Sequence, residues 1–94
     1  MVVEFYAYYR GPEYDGCKKM DWPEKAESVL DLCHQIGERI GQRFLTELLS
    51  PDGTKISEKS IVLVNGRRID FLNGVDTLLK DTDNVKIFPV VAGG

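Results

Sequence analysis

The sequence predicts an α+β protein in which one amphipathic helix lies across one face of a sheet. Three observations carry that class. A β-branched and aromatic run opens the chain, a single stretch of helical apolar periodicity occupies its middle, and an Asn-Gly step joins two apolar runs ahead of a final apolar alternation. The order is strand, strand, helix, hairpin, strand, and one helix can cover only one face of such a sheet. The 94 residues are expected to form a single domain, 1–94, with a flexible C-terminal tail over 90–94.

Val2 to Tyr9 is the first strand, with no breaker before Gly11-Pro12. Glu4 marks its polar side, so Val3, Phe5 and Ala7 face the core while Tyr6 and Tyr8 share the side of Glu4. Gly11-Pro12 and Asp15-Gly16 mark a long hairpin loop. Cys17 to Trp22 reads as a short returning strand, its edge blunted by Lys18 and Lys19. Ser28 opens the helix, and Asp31 three positions on makes a weak form of the capping box. Val29, Leu32, Cys33, Ile36 and Ile40 then form one apolar stripe. Glycine inside a helix costs about 1 kcal/mol. Gly41 therefore reads as the stop, and Gly37 as either a close-packing position or an earlier end. Phe44, Leu45, Leu48 and Leu49 fit either a further helical turn or an irregular apolar segment.

Ser50-Pro51-Asp52-Gly53 is a turn. Ile61 to Val64, Asn65-Gly66 and Arg67 to Phe71 then read as a hairpin, because both central residues of a type I′ turn need positive φ. Asn73-Gly74 makes another turn, Leu78 to Asp81 one short turn of helix, and Val85 to Val90 the last strand.

Composition narrows the function. Hydrophobic residues make up 43% and charged residues 29%, and the net charge is −3, which argues against a nucleic-acid binder needing a concentrated basic surface. No segment approaches the ~20 apolar residues of a membrane span. Met1 to Glu4 lacks the basic and apolar regions of a signal peptide, so a cytoplasmic protein is expected. Cys17 and Cys33 stand in no metal or redox spacing. His34 is the only histidine, and on a helix it points about 100° away from its neighbour Cys33, so the two cannot pair. Asp76, Asp81 and Asp83 lack the bidentate glutamate that closes a calcium loop. No metal, no bound cofactor and no autonomous catalysis are expected.

The ending, Val90-Val91-Ala92-Gly93-Gly94, offers a different chemistry. Glycine carries no Cβ, so Gly93-Gly94 can thread a channel too narrow for any side chain. Five extended residues reach roughly 17 Å at about 3.3–3.6 Å each. A terminal carboxylate, with a pKa near 3.5, is ionised and a poor electrophile, and adenylation with ATP on a partner enzyme is the general route to activating it. The adenylate then takes up sulfur as a thiocarboxylate, or a lysine amine as an isopeptide.

Ile61 to Gly94, with its Val64-Asn65-Gly66 turn, Asp76-Thr77-Leu78-Leu79-Lys80-Asp81 and the Phe88-Pro89 pair ahead of Gly93-Gly94, resembles the ubiquitin-like β-grasp sulfur carriers, in particular the small subunit of molybdopterin synthase. The stretch opened by Ser28-Val29 stands where that family begins its helix. Tyr9 to Cys17, rich in tyrosine, and Thr82, where the family commonly has glycine, depart from the pattern. The resemblance implies a mixed sheet of four to five strands, with the first and last strands parallel at its centre and one main helix on one face. It implies that an E1-like adenylating enzyme activates Gly94 with ATP, and that the resulting thiocarboxylate enters the large subunit of molybdopterin synthase to supply sulfur. Related members use the same terminus for thiamin, for tRNA thiolation or for conjugation to lysines.

Strand alternation adds a second expectation. Val85 and Ile87 face the core, so Lys86 and Phe88 face outward. With Tyr6, and with Tyr8, Phe88 would then build an aromatic patch on the sheet face away from the helix, a common mark of an interaction surface. The alternative is that segment 44–60 covers it. Gly94 and Gly93 would supply the reactive end, Val90, Val91 and Ala92 the extended lead, and Phe88, Pro89, Tyr6 and Tyr8 the contacts to a partner.

Overall fold

The computed structural model describes residues 1–6 and 19–90. Strand β1 (Val2–Phe5) alternates as Glu4 requires, with Val3 and Phe5 fully buried. Ala7 and Tyr8 lie outside the described residues. Strand β2 is Lys19–Asp21, antiparallel to β1, with Met20 opposite Val3. Its expected start at Cys17 lies outside the described residues, and at the other end it stops one residue early, because Trp22 has left the strand. The indole is buried and donates its Nε1–H to Gln35 Oε1 at 2.7 Å, while the Arg39 guanidinium lies 5.7 Å from the ring centroid. A buried indole N–H needs such an acceptor, and finding one on the helix takes Trp22 off the sheet edge.

Helix α1 (Val29–Arg39) starts at Ser28, whose Oγ accepts the Asp31 N–H at 3.2 Å. Asp31 returns a contact to the N–H of Glu27 at 3.3 Å, one residue before the cap, so the capping box is displaced by a position. Val29, Leu32, Cys33 and Ile36 are buried and Ile40 is partly buried, which is the predicted stripe. Gly41 ends the helix at φ +149. Gly37 is a close-packing position, because a Cβ there would stand 3.0 Å from Leu45 Cδ2 and 3.1 Å from its Cβ. The neighbour it admits is helix α2 (Gln42–Leu48), so Phe44 and Leu48 belong to a helix and are buried. Phe44 meets Phe5 edge-on, the centroids 5.4 Å apart at 90°.

Strands β3 (Ser60–Val64) and β4 (Arg67–Arg68) form the hairpin about Asn65 (φ 53) and Gly66 (φ 84), both in the left-handed region that a type I′ turn requires. Two expectations need correction here. The second arm is two residues long, not five, because Ile69–Phe71 turns as a 3₁₀ helix and drops Ile69 into the core at 2% exposure. Leu78 to Asp81 is not helical. Val29 N–H donates to Thr77 O at 3.0 Å, Leu79 N–H donates to Glu27 O at 3.0 Å, and Leu78 bridges Ser28, so this segment is drawn out along the start of α1. The helical turn falls earlier, as a 3₁₀ helix over Gly74–Asp76.

Strand β5 (Asn84–Pro89) runs parallel to β1 and antiparallel to β3, giving the order β2-β1-β5-β3-β4. The sheet is mixed, five-stranded and covered on one face by both helices, the β-grasp arrangement. Among the described residues no helix is long and apolar enough to cross a membrane.

Candidate functional site

The face of the sheet turned away from the helices follows from register. Phe5 pairs with Ile87, and the Tyr6 N–H donates to Ile87 O at 3.1 Å, so Tyr6 continues beyond β1 along the outer side of β5. Val85, Ile87 and Pro89 are buried, whereas Lys86 and Phe88 are half-buried on the opposite side. Tyr6 and Phe88 consequently meet: their rings stack with centroids 4.3 Å apart and planes 11° from parallel. On β3, Ile61 lies opposite Phe88 and Leu63 opposite Lys86, both half-buried. Segment 44–60 does not take this face at α2, since Phe44 packs on Phe5, whose side chain points to the helices.

A polar frame holds the aromatic pair. The Glu4 carboxylate accepts the Tyr6 hydroxyl at 3.2 Å through Oε1 and the Asn84 side-chain amide at 3.0 Å through Oε2. These contacts hold its carboxyl below the usual range, the Asn84 hydrogen bond contributing most and Tyr6, Lys86 and Lys19 adding to it against partial desolvation. Asn84 donates its own N–H to Asn65 Oδ1 at 2.9 Å, and Asn65 Nδ2 donates to Asp83 Oδ1 at 2.9 Å. The other Asp83 oxygen accepts the Lys80 N–H at 2.8 Å. The hairpin turn is thereby pinned to the start of β5.

At the far end of β5, Pro89 is buried opposite Ser60, and the exposed Val90 still donates its N–H to Lys59 O at 2.8 Å. The chain is anchored as far as Val90. Val91, Ala92, Gly93 and Gly94, like Tyr8 and the tyrosine-rich stretch, lie outside the described residues. Elsewhere the chemistry is subdued. Desolvation pushes the buried Cys33 thiol up to about 12, and His34 is exposed. Among the described residues no group of His, Cys, Asp and Glu is placed to hold a metal ion.

The structure thus brings Tyr6 and Phe88 together on the open face, whereas Pro89 is buried on the opposite side of β5 and Val90 is exposed just beyond it. Sequence reasoning missed Ile61, although the alternation of Ile61 and Leu63 against the buried Val62 and Val64 was a usable signal. It also missed the Glu4–Asn84 bond, which joins residues 80 apart and has no local signature.

The ThiS family model matches residues 3–94. The complex of BexX and CysO from Amycolatopsis orientalis matches at TM-score 0.81 and 26% identity, over 99% of this chain and 98% of the other. Small archaeal modifier protein 1 from Methanosarcina acetivorans matches at TM-score 0.76 and 27% identity, over 99% and 94%. A putative molybdopterin converting factor subunit 1 from Pyrococcus furiosus matches at TM-score 0.65 and 30% identity, over 96% and 95%. No curated protein matches the chain. With the family model running through nearly every residue of a ubiquitin-like fold, this chain belongs to the ThiS family of small sulfur carriers.

Proposed function

We propose that this chain carries sulfur on Gly94 for molybdopterin formation, as the small subunit of molybdopterin synthase. The observation that supports it most is the family match running to Gly94 itself, alongside a 30% identical relative named as a molybdopterin converting factor subunit. An E1-like enzyme would bind the chain and ATP. The Gly94 carboxylate attacks the α-phosphorus, pyrophosphate leaves, and a sulfide-level nucleophile displaces AMP to give the thiocarboxylate. On the large synthase subunit the sulfur passes to its acceptor and water returns the carboxylate.

In this reading Phe88 and Tyr6 seat the carrier on its partner and Pro89 and Val90 fix where the tail departs. The four residues beyond Val90 reach at most roughly 14 Å, at about 3.3–3.6 Å each. Gly93 keeps the last part of the passage free of side chains. The chain is a co-substrate acting in the cytoplasm and needs no resident cofactor, since ATP binds the partner.

Intact-mass analysis of the chain isolated from its native cell tests the reading: sulfur should replace one oxygen at Gly94. Finding only the free carboxylate while the cell is making the cofactor overturns it. The 27% identical modifier protein supports a second reading, conjugation of Gly94 to lysines. Higher-mass conjugates that vanish when Gly94 is deleted would favour that one, and acceptors in thiamin or tRNA thiolation would redirect the sulfur without changing the carrier chemistry.

A further inference from the structure

Glu4 lies on β1, and Tyr6, one residue past the end of that strand, keeps its N–H on Ile87 O of β5, so the alternation carries on and both side chains leave the same face of the sheet. A tyrosine in that setting ordinarily samples several staggered rotamers. Here it is held at both ends: the backbone N–H donates to Ile87 O at 3.1 Å, and the phenol hydroxyl donates to Glu4 Oε1 at 3.2 Å. The carboxylate is itself held, its second oxygen accepting Asn84 Nδ2 at 3.0 Å, while Asn84 is fixed through Asn65 to Asp83. The ring lies almost flat on Phe88, 4.3 Å away and 11° from parallel.

We propose that Glu4 is a positioning residue for docking, holding Tyr6 flat on Phe88 so that the two rings meet the adenylating enzyme as one preformed plate. This rests on the reading of the open sheet face as the docking surface. The physical gain is in ordering. When only a fraction of molecules has the ring in the binding pose, apparent affinity falls by that fraction, and a ring already fixed has less freedom left to lose on binding. Glu4 need not touch the partner to do this.

The test has one arm without a partner and one with it. In the full chain, wild type should show through-space NMR contacts between the Tyr6 and Phe88 rings. Glu4→Ala should weaken them with only a small fall in melting temperature and with the amide shifts of the helices in place, and Glu4→Gln, which keeps an acceptor oxygen, should restore part of them. Titrated against the E1-like adenylating enzyme, Glu4→Ala and Tyr6→Phe should each lose about tenfold in affinity. The double variant should lose no more than either alone, because both remove one tether. Ring contacts unchanged in Glu4→Ala overturn the positioning role, whatever the partner does. So do losses that multiply in the double variant, or affinity unchanged in Glu4→Ala although the contacts are gone. Tyr6→Phe tests the same tether should Glu4→Ala fold poorly. Failure of the docking surface itself is a separate result, read from Phe88→Asp.

Discussion

The two faces of the sheet are built from the same strands and do opposite work. On the helix side Val3, Phe5, Val85 and Ile87 are fully or almost fully buried under α1 and α2. On the open side their sequence neighbours Glu4, Tyr6, Lys86 and Phe88 are half-buried, and the aromatic pair lies within a hydrogen-bonded polar frame. One face gets its order from packing, the other from hydrogen bonds around a single ring stack. Core side chains are interchangeable only within tight volume limits, whereas a framed outer face can vary in its contacts without unfolding the domain.

The comparison breaks most visibly on the inner side. Phe5→Ala should cost about 3–5 kcal/mol of stability in a denaturant melt, because it leaves a cavity and removes the edge-on partner of Phe44. A cost below that of an ordinary surface substitution would show the inner face is not the core. Phe88→Asp is the mirror experiment. It should leave the melt nearly unchanged and lower affinity for the proposed partners, an adenylating enzyme or the large synthase subunit, roughly tenfold or more. Unchanged binding removes the outer face from the docking role.

Two smaller tests sharpen the contrast. Gly37→Ala gains about 1 kcal/mol in helix propensity, yet its Cβ would meet Leu45 Cβ at 3.1 Å, which a swing of the Leu45 side-chain end cannot relieve. Overpacking of this kind costs about 1–3 kcal/mol, so a net loss of roughly 1 kcal/mol is expected in thermal melts, and a gain would mean that α1 and α2 separate easily. The smallest effect is in pH. The Glu4 carboxyl titrates below its ordinary value chiefly through its Asn84 hydrogen bond, with the Tyr6 hydroxyl, Lys86 and Lys19 adding to it. Its stabilising contacts are complete above about pH 4.5 and are lost as pH falls through the lowered value. The Tyr6 ring contacts should fade in that acid range before the helical circular dichroism does.

Much of this was readable because it is local. Alternation about Glu4 assigned the two sides of β1, the stripe from Val29 to Ile40 gave α1, and Asn65-Gly66 gave the hairpin and its turn type. What failed depended on partners distant in the chain. Leu78 and Leu79 look helical, but Ser28 and Glu27 claim their backbone as an extended bridge. Arg67 to Phe71 looks like a strand, yet Ile69 reaches the core only if the chain turns at Arg68. The apolar run after Gly41 suits either a helix or a loop until Gly37 offers it a flat surface to pack on. For the site, alternation separated Tyr6 and Phe88 from the core, but their stack needs the parallel register of β1 and β5. The parallel pairing came from the family resemblance and the register only from the structure, since residues so far apart leave no periodic trace of their pairing.

Cys33 sits fully inside the domain with its thiol pushed up to about 12. Burial therefore keeps it protonated at neutral pH, away from the thiolate, the form that attacks disulfides, persulfides and activated acyl groups. If Gly94 carries sulfur as proposed, this second sulfur atom is inert filler. Alkylating reagents should pass it by in the folded state and label it on unfolding, which makes Cys33 a built-in clock for how often the interior opens.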